Sequence, residues 1–451
     1  MRFYGRTAEL RTLHELLDSC QTTNTCRLAV VTGRRRIGKT TLIEEAFRDC
    51  GVPYIYFFTS VGISENDFCA RLIKAVSETL DIKFPPTLTD ASDTFSYVLE
   101  LAKSHAFVLA IDECQDAESR VPDFWSKLQK AWDLNKDGGK LLLVLSGSIQ
   151  STIERVFGSE SSPLFGRADL FMVLQPFTTR ETEAIFYEEF PAGQNEDLLT
   201  LYAVTGGVAR YLAFFADWDA LSSRRLLECI FSEKGSWYQA EGILLLSNEF
   251  RTSTSTYLTI LQLVASGVSK RSELQDRLDV DISPYLQRLE TNYRLIERTE
   301  PILQKKSNRN FRYKIKDPFF RYWFAFISQM PQQSYIERGL WEPARVHAAK
   351  MLPAFLGRTL EDWFIKRCLE NPAWCEVGSW WDRKGQNEID LIAIDRACKR
   401  ILIAEVKLNR DKYDEYRLRK KIDVFLEHHP ELSAFDIAWR PLSIENMRDL
   451  I

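Results

Sequence analysis

The segment Gly33–Thr40 has residue types and a spacing that suit the binding of a phosphate chain. Its sequence, Gly-Arg-Arg-Arg-Ile-Gly-Lys-Thr, matches the pattern GxxxxGK[ST] between an apolar strand and a helix. Glycines let backbone N–H groups turn toward phosphate oxygens, and the positive end of the following helix faces the same anion. We therefore predict that Lys39 contacts the β- and γ-phosphates of a nucleoside triphosphate and that the Thr40 hydroxyl ligates Mg²⁺.

Two adjacent acids follow the apolar strand Phe107–Ile111. Carboxylates at the end of a buried strand are where nucleotide-binding α/β folds hold the metal ion. We predict that Asp112 holds Mg²⁺, directly or through water, and that Glu113 orients and deprotonates the attacking water. The alternatives are a strand-end cap for Asp112 and a solvated loop residue for Glu113.

Further polar residues are candidates for the same site. Ser146 and Ser148 follow an apolar strand, and a hydroxyl there could sense the γ-phosphate or position the water, although a plain turn explains either serine equally well. Arg167 and Arg210 are candidate charge stabilisers, with a structural salt bridge as the alternative for each. We expect the three arginines inside the loop to make surface or interdomain contacts. The predicted nucleotide-binding residues are Gly33, Arg34, Arg35, Arg36, Ile37, Gly38, Lys39, Thr40, Thr41, Ser146 and Arg210.

A second group of ionisable residues lies near the C-terminal end of the chain. Asp390 is on one predicted strand, and Glu405 and Lys407 are on the next. Period-two alternation places Glu405 and Lys407 on one face, and it places Glu388 on the face of Asp390. Burying unpaired charges on apolar strands is unfavourable, and a divalent metal held by Asp390 and Glu405 would explain them. Lys407 could then activate or position a water for attack on a phosphodiester, and Glu361 on the preceding helix could complete the site.

The spacing of these residues, D-x14-E-x-K, is similar to the pattern of PD-(D/E)xK nucleases. The resemblance implies a metal-dependent nuclease-like domain, and the order helix, strand, strand around the pattern favours it. One alternative is an ordinary salt-bridged β-hairpin. Another is a nuclease fold that binds nucleic acid without cutting it.

Short apolar strands that alternate with amphipathic helices position the first group of residues. Strands that are apolar throughout, with helical crossovers, favour a doubly wound parallel sheet, so residues 1–177 are predicted to be an α/β core. The predicted buried strands are Arg27–Thr32, Tyr54–Phe58, Phe107–Ile111, Leu141–Leu145 and Leu170–Leu174, and the helices between them include Asp67–Leu80 and Phe124–Asp133.

Three further segments follow this core. Helical periodicity over residues 178–255, which opens with a capping box formed by Thr178 and Glu181, predicts a helical lid. Residues 256–340 show three short helices and a hairpin, which is the order of a winged helix-turn-helix. Residues 341–451 predict a smaller α/β domain that carries the second group of ionisable residues.

Basic clusters in the last two segments are candidate nucleic-acid surfaces. The third short helix, with Ser283 as its predicted N-cap and Pro284 in its first position, would be the recognition helix. It offers few base-reading residues, namely Gln287, Arg288 and Asn292. A solvated face, or a wing that packs between domains, is the alternative, and we expect the aromatic run 319–324 to be core. The basic residues are Lys305, Lys306, Arg309, Arg312, Lys314 and Lys316 in the wing and Arg417, Arg419, Lys420 and Lys421 farther on.

The composition limits the classes of protein and partner. The 451 residues carry a net charge of −4, so any nucleic-acid surface is local. Nine cysteines without CxxC spacing predict reduced, mostly buried thiols and no structural zinc. The N-terminal stretch lacks an apolar signal-peptide region, and no apolar run approaches about 18 residues. We therefore expect a cytoplasmic protein with no membrane-spanning helix.

The first half of the chain resembles archaeal-type ATPases within the AAA+-like STAND class of P-loop NTPases. The similarity rests on FYGRTAEL, VTGRRRIGKTTL, LAIDE, LSGS, LFGRADL and TGGVARYL. The resemblance implies that Phe3–Glu9 lies near the nucleotide base and that Arg210 is a lid residue that senses the γ-phosphate. Ala209 departs from the family pattern, in which we expect proline. Members of this family often continue with a winged helix and a restriction-endonuclease-like domain, which is the layout predicted here.

Taken together, these features predict a protein that binds and hydrolyses ATP with Mg²⁺ and whose nucleotide state controls a metal-dependent nuclease acting on nucleic acid. A regulatory switch that binds DNA or protein partners without cutting is the alternative. An ATPase with a degenerate accessory domain is the third interpretation. The sequence leaves open whether the protein forms a homo-oligomer, in which Arg167 would act on a neighbour's nucleotide.

Overall fold

The computed structural model describes residues 3–59, 62–119, 121–147, 156–158, 162–249, 254–304 and 310–449 of the chain. These residues form two compact units, which are divided between Pro176 and Phe177. The glycine loop belongs to the first unit, and the predicted nuclease-like residues belong to the second.

The first unit is built on a parallel sheet of five strands, which confirms the predicted α/β core. The strands are β1 (Arg27–Thr32), β2 (Tyr54–Phe58), β3 (Ala106–Asp112), β4 (Lys140–Gly147) and β5 (Leu170–Val173). They lie in the order β2-β3-β4-β1-β5. The three central strands are apolar and buried, as strands covered on both faces of a parallel sheet must be. This order places the carboxyl ends of β1, β3 and β4 side by side.

Two of the five strands predicted to be buried are edge strands instead. Among the strands that the structure describes, β2 pairs only with β3, and β5 pairs only with β1. Alternate side chains of both strands face outward: Tyr56 is 39% exposed, Phe58 53% and Phe171 44%. The prediction of full burial was wrong for these two strands because a short apolar run indicates a strand but not its place in the sheet.

Within the described residues, five α-helices accompany this sheet, and aromatic contacts hold three of them together. The helices are α1 (Thr7–Thr23), α2 (Lys39–Phe47), α3 (Glu65–Thr79), α4 (Ala91–Leu101) and α5 (Phe124–Asn135). Phe68 of α3, Phe95 of α4 and Phe124 of α5 form a triangle with ring centres 5.6 to 5.9 Å apart. Such tilted and edge-to-face pairs add to the stabilisation from burial.

The second unit begins with five helices, as the periodicity after residue 178 predicts. They are α6 (Thr179–Glu189), α7 (Asn195–Thr205), α8 (Ala209–Asp217), α9 (Ser223–Ile230) and α10 (Ser236–Glu249). The predicted capping box opens the first of them. The Thr178 side chain accepts from the Glu181 backbone N–H, and the Glu181 carboxylate accepts from the Thr178 N–H at 2.8 Å.

Three helices and an antiparallel strand pair follow in the predicted order. They are α11 (Thr254–Ala265), α12 (Arg271–Gln275), α13 (Ser283–Thr291), β6 (Ile296–Thr299) and β7 (Arg312–Ile315). The predicted N-cap of α13 is wrong by one residue. The helix begins at Ser283, whose hydroxyl donates to Asp281 at 2.6 Å rather than capping the helix, so Pro284 is the second helical residue.

A small mixed sheet with flanking helices completes the second unit. The helices are α14 (Pro318–Phe326), α15 (Gln332–Glu337), α16 (Trp341–Leu369) and α17 (Glu415–His428), and the strands are β8 (Glu376–Trp381), β9 (Glu388–Asp395), β10 (Arg400–Val406) and β11 (Asp436–Leu442). The strand order is β11-β10-β9-β8, with β10 and β11 parallel and the other pairs antiparallel. The sequence pattern predicts only β9 and β10, because both outer strands are partly exposed.

Three expectations about composition agree with the structure. All nine cysteines are free, and six of them are buried. The aromatic run in α14 is buried, as predicted for core residues. In the part of the chain that the structure describes, no helix combines the length and the apolar character needed to cross a membrane.

Candidate functional site

The loop between β1 and α2 has a conformation that requires glycine. Gly33 and Gly38 have φ angles of +150° and +97°, which residues with a Cβ rarely adopt. A Cβ on Gly33 would also lie 2.8 Å from the carbonyl oxygen of Leu174. Ile37 is 1% exposed and anchors the middle of the loop in the interior. The glycine at position 33 is therefore needed both for backbone conformation and for space.

Lys39, the first residue of α2, holds its ammonium group within this loop. Its Nζ donates to the carbonyl oxygens of Gly33 at 3.1 Å and Arg34 at 3.4 Å. Burial lowers the pKa of Lys39, and the acids Glu113 and Asp112 oppose that shift. A phosphate would offer this cation full negative charge in place of carbonyl dipoles, and charge-assisted hydrogen bonds are the stronger kind.

Asp112 lies at the end of β3 and meets the loop directly. Its Oδ2 accepts from the Thr40 hydroxyl at 2.6 Å and from the Tyr56 hydroxyl at 2.9 Å. Its Oδ1 accepts from the Glu113 backbone N–H at 2.9 Å. The sequence interpretation missed Tyr56. A short apolar run does not show that its strand lies next to β3, and only this pairing brings Tyr56 to Asp112.

Glu113 turns sharply away from the strand. Its φ of +49° lies in the left-handed region, which is uncommon for residues other than glycine. Its Oε2 accepts from the Gln115 amide at 2.5 Å, and Gln115 is itself buried. The carboxylate is thus held by Gln115, and its role in orienting an attacking water stays a prediction.

Two buried hydroxyls at the same edge of the sheet have no hydrogen-bond partner among the described residues. They are the Oγ of Ser146 at the end of β4 and the Oγ1 of Thr59 just after β2. Thr59 adjoins the end of β3, since its N–H donates to the Asp112 carbonyl at 3.0 Å. Buried hydroxyls are normally paired, so these two suit a ligand or an ordered water. Ser148, the other predicted serine, lies outside the described residues.

The arginines and Thr41 occupy different surroundings. Arg35 and Arg36 are exposed, as expected for surface contacts, Arg34 is half-buried, and Thr41 on α2 faces solvent. Their roles in nucleotide binding stay predictions.

Arg167 and Arg210 have partners of their own. Arg167 donates to both carboxylate oxygens of Asp133, each at 2.8 Å. The structure thus contains the salt bridge that was the alternative interpretation of Arg167. Arg210, near the start of α8 in the second unit, is exposed and lies 5.7 Å from the centre of the Trp237 ring. Sensing of the γ-phosphate by Arg210 stays a prediction.

In the small sheet, Lys407 lies between two of the predicted acids. Its Nζ is 3.3 Å from Asp390 Oδ2 and 3.0 Å from Glu405 Oε1. Asp390 Oδ2 also accepts from the Val406 N–H at 2.8 Å, and Lys421 of α17 approaches Glu405 Oε1 at 3.4 Å. The other oxygen of Glu405, Oε2, is buried and has no hydrogen-bond partner among the described residues.

Asp390 lies at an irregularity in the sheet. Gly378 pairs with Ile392, and Trp380 pairs with Ile389. Two residues of β9, Asp390 and Leu391, therefore lie opposite the single β8 residue between Gly378 and Trp380. Bulges of this kind re-aim side chains and are common next to active sites. A period-two pattern in the sequence cannot reveal such an irregularity.

Glu361 on α16 interacts with this group through its charge. Burial raises the pKa of Glu361 to about 8, and the negative charges of Asp390 and Asp362 raise it as well, while Lys407 opposes them. Burial also raises the pKa of Asp390. The four predicted residues are thus brought to one end of the small sheet. Over the described residues, however, no three histidine, cysteine, aspartate or glutamate side chains are arranged as ligands of one metal ion.

Two wing residues that we predicted to contact phosphates instead pair with acids near this group. Arg312 donates to Glu388 at 2.8 Å and lies 4.4 Å from the centre of the Trp381 ring. Lys314 donates to Asp362 at 2.8 Å. Alternate side chains of β7 thus face β9 and α16, as in the alternative of a wing that packs between domains. Phosphate contact by these two residues stays a prediction.

The other predicted nucleic-acid residues are placed as follows. In α17, Arg417 and Arg419 form ion pairs with Asp414 and Glu415, one turn earlier in the chain. Lys420 lies 4.4 Å from the centre of the Tyr416 ring. The predicted base-reading residues of α13, Gln287, Arg288 and Asn292, are exposed, as is Lys316, whereas Lys305, Lys306 and Arg309 lie outside the described residues.

Asp362 was not among the predicted residues, although it is central to this packing. It accepts from Lys314 of β7 and also pairs with Arg321 of α14. Burial alone would raise the pKa of Asp362, but the two adjacent cations outweigh it and hold the pKa well below its usual range. In the sequence, Glu361 and Asp362 are simply neighbouring acids on an amphipathic helix, and nothing distinguishes their roles.

Two family models match separate parts of the chain. Residues 3–215 match an ATPase domain found predominantly in Archaea. Residues 323–422 match a family described as Archaea bacterial proteins of unknown function. The first match includes the glycine loop and Asp112, and the second includes the group around Lys407. The family match therefore supports an ATP-binding ATPase domain in the first half of the chain.

Similar proteins extend over most of the chain. An uncharacterized protein of Methanocaldococcus jannaschii is 28% identical over 415 residues, which cover 90% of this chain and 87% of the relative. The solved structure of the Walker-type ATPase PABY2304 of Pyrococcus abyssi aligns with a TM-score of 0.53 and 19% identity, over 72% of this chain and 96% of that one. The ORC2 protein of Aeropyrum pernix, solved as ADPNP-ADP complexes, aligns with a TM-score of 0.50 and 15% identity, over 78% and 96%. These structural similarities confirm the P-loop NTPase fold.

Proposed function

We propose that this protein is an ATPase that works with Mg²⁺. The observation that carries the proposal is the contact between the Thr40 hydroxyl and Asp112 Oδ2 at 2.6 Å. It brings together two hard oxygen ligands, one from the glycine loop and one from the strand end, which suit Mg²⁺. Mg²⁺ bound there would neutralise charge on the phosphate oxygens.

The residues around this pair support the proposal. Lys39 would exchange the carbonyl oxygens of Gly33 and Arg34 for phosphate oxygens. Glu113, held beside Asp112 by Gln115, would orient the attacking water and take its proton. Ser146 and Thr59 would direct their hydroxyls, which lack partners among the described residues, to the phosphate or the water.

The test compares ATP hydrolysis by variants of the full chain. We expect Lys39→Ala and Glu113→Gln each to lower kcat/KM by about 100-fold or more, since each removes a group that acts on the reacting phosphate. Glu113→Gln should still bind ATP. Lys74→Ala, which changes a lysine of α3 that is 72% exposed, is the matched control and should stay within about twofold. Hydrolysis that persists unchanged in Lys39→Ala would refute the proposal.

We further propose that the group around Lys407 cleaves phosphodiester bonds with a divalent metal, under control of the nucleotide state. The support is the buried Glu405 Oε2, which no described residue satisfies, beside a second carboxylate, Asp390. A divalent cation would satisfy that oxygen and act as a Lewis acid on a phosphate. The raised pKa of Glu361 agrees, because its causes are burial first and then the negative charges of Asp390 and Asp362, which a cation would offset.

This second proposal is tested on DNA and RNA substrates with Mg²⁺ or Mn²⁺ and ATP. We expect cleavage by the wild type and none by Asp390→Asn or Lys407→Ala. Lys399→Ala, which changes an exposed lysine in the turn between β9 and β10, is the matched control and should cleave normally. Cleavage that survives in Asp390→Asn, or the lack of any cleavage, would sink this proposal and leave the ATPase proposal standing.

A second candidate function is a regulatory switch, in the cytoplasm, that binds DNA or protein partners without cutting them. The observation that favours it is that Lys407 already forms ion pairs with both Asp390 and Glu405. A switch should hydrolyse ATP slowly and bind its partner in only one nucleotide state. Fast hydrolysis stimulated by DNA, lost in Lys39→Ala, would count against the switch. Sedimentation with and without ATP would show whether the protein forms a homo-oligomer.

A further inference from the structure

An open cavity of about 1230 Å³ lies between the three-helix segment and the small sheet of the second unit. One side carries Lys270 and Arg271 at the start of α12, and the other carries Arg383 in the turn between β8 and β9. The segments 301–304 and 428–431 complete its lining. We call this cavity the basic cleft. None of its residues belongs to the predicted recognition helix α13.

The cations of the basic cleft are more available than its acids. Arg383 is exposed and makes no hydrogen bond or ion pair with any described residue. Lys270 is 58% exposed, and its ion pair with Glu273 is long, at 3.8 Å. The Asp382 carboxylate, by contrast, accepts from the Gln386 and Asn387 backbone N–H groups.

The remaining acid of the lining, Glu431, lies 3.4 Å from His429. Partly exposed pairs of this kind contribute little to stability, so this one would not prevent an anion from entering. The cleft therefore offers cations from two separate segments, with acids that are already engaged.

The two tryptophans of the basic cleft are not available for stacking on bases. The Arg312 guanidinium covers the Trp381 ring at 4.4 Å, and the Trp381 Nε1 donates to Asn310. Trp380 packs against Phe425, with ring centres 5.5 Å apart. A ligand would therefore be held by charge along its backbone, which is how proteins bind nucleic acid without regard to sequence.

The basic cleft lies beside the group around Lys407. Arg312 lines the cleft and donates to Glu388, which is two residues from Asp390 on β9. Two residues of a strand span about 7 Å. A polymer of phosphates held in the cleft would thus have a phosphate within reach of Asp390 and Lys407.

We propose that the basic cleft binds a nucleic-acid strand through its phosphates and guides it to the acids around Lys407. This inference rests on the proposed nuclease function and names where its substrate binds. It assigns substrate binding to Lys270 and Arg383 instead of the exposed face of the recognition helix.

The experiment measures binding separately from cleavage. Full-length protein carrying Asp390→Asn is titrated, in EDTA, against a fluorescent single-stranded DNA of 20 nucleotides, and binding is followed by anisotropy over a range of salt concentrations. Adding Lys270→Glu and Arg383→Glu together should weaken binding at least tenfold. It should also reduce the slope of log affinity against log salt by about 1.4, since each phosphate contact contributes about 0.7 for single strands.

Two controls keep the result specific. Arg288→Glu reverses an exposed charge on α13 and should change affinity by less than about twofold. Lys270→Arg with Arg383→Lys keeps both charges and should bind normally, and unchanged ATP hydrolysis in all variants shows that they fold. Absence of DNA binding, unchanged binding in the double reversal, or an equal loss with Arg288→Glu would overturn the proposal. Normal cleft-dependent binding without cleavage by the wild type would refute the nuclease function alone.

Discussion

The two candidate sites differ in what holds their charged groups in place. In the first unit, backbone conformation positions the chemistry: the glycine loop wraps Lys39, and the strand end presents Asp112 to Thr40. In the second unit, ion pairs between side chains from distant segments do so. Lys407 forms ion pairs with Asp390 and Glu405, and Lys314 forms one with Asp362. A site fixed by backbone can exist before its ligand arrives, whereas a site fixed by ion pairs must exchange partners to work.

The largest effect should come from breaking the ion pairs of the second unit. Asp362→Ala leaves Lys314 and Arg321 without their shared partner, and breaking a buried pair in this way destabilises by about 3–5 kcal/mol. Urea unfolding should show this loss in the second unit while ATP binding persists. The matched control on the same helix is Glu342→Ala, whose side chain is 71% exposed and should cost below about 0.5 kcal/mol. Equal stability of the two variants would mean that the pairs do not hold this unit together.

A smaller effect should follow from disturbing the backbone of the first site. Gly33→Ala forces a Cβ to 2.8 Å from the Leu174 carbonyl at a φ of +150°. We expect about 2 kcal/mol of lost binding energy, or roughly 30-fold weaker ATP binding by calorimetry. Gly357→Ala, where a Cβ meets nothing within 4 Å, is the control. If both variants bind ATP equally well, the loop is not preformed in the way described.

The electrostatics of the second site predict that the free energy of unfolding depends on pH. The folded-state pKa of Glu361 is raised to about 8, above its ordinary value of 4.5, so the folded state keeps a proton that the unfolded state loses. This contribution is fully present below pH 4.5 and is lost as the pH rises through 8. In EDTA, the free energy of unfolding of Glu361→Gln, measured relative to the wild type by urea unfolding, should therefore be greater at pH 9 than at pH 4. A difference that does not change with pH would show that the acids around Lys407 do not interact as the structure indicates.

The smallest effect tests whether a side chain also tunes the first site. Tyr56→Phe removes the hydroxyl that donates to Asp112 Oδ2, and one hydrogen bond to a charged group contributes about 1 kcal/mol or somewhat more. We expect about fivefold weaker activation of ATP hydrolysis by Mg²⁺. Tyr54→Phe is the matched control, because its hydroxyl has no hydrogen-bond partner among the described residues. If the control shows the same change, Tyr56 has no particular role in holding Asp112.

The contrast between the sites also explains what the sequence could predict. The glycine loop is contiguous, and its strand and helix context is visible in apolar patterning, so the parallel sheet and the neighbourhood of Lys39 follow from local rules. Tyr56 was missed because it reaches Asp112 across neighbouring strands. Asp362 and the irregularity at Asp390 were missed because their significance depends on residues tens of positions away. Partly exposed strands such as β8 and β11 lack the apolar pattern that identified β9 and β10.

The pairing of Lys314 with Asp362 has a consequence for where the chain can be cut. Sequence patterns suggest that a fragment starting near Trp341 would contain the whole C-terminal domain. Such a fragment would keep Asp362, which is only 16% exposed, but lose both Lys314 and Arg321, its partners on β7 and α14. It would also lose Arg312, the partner of Glu388. The smallest piece of this protein that retains balanced charge at its acid site therefore begins upstream of β7, and the hairpin is structurally part of the domain that follows it.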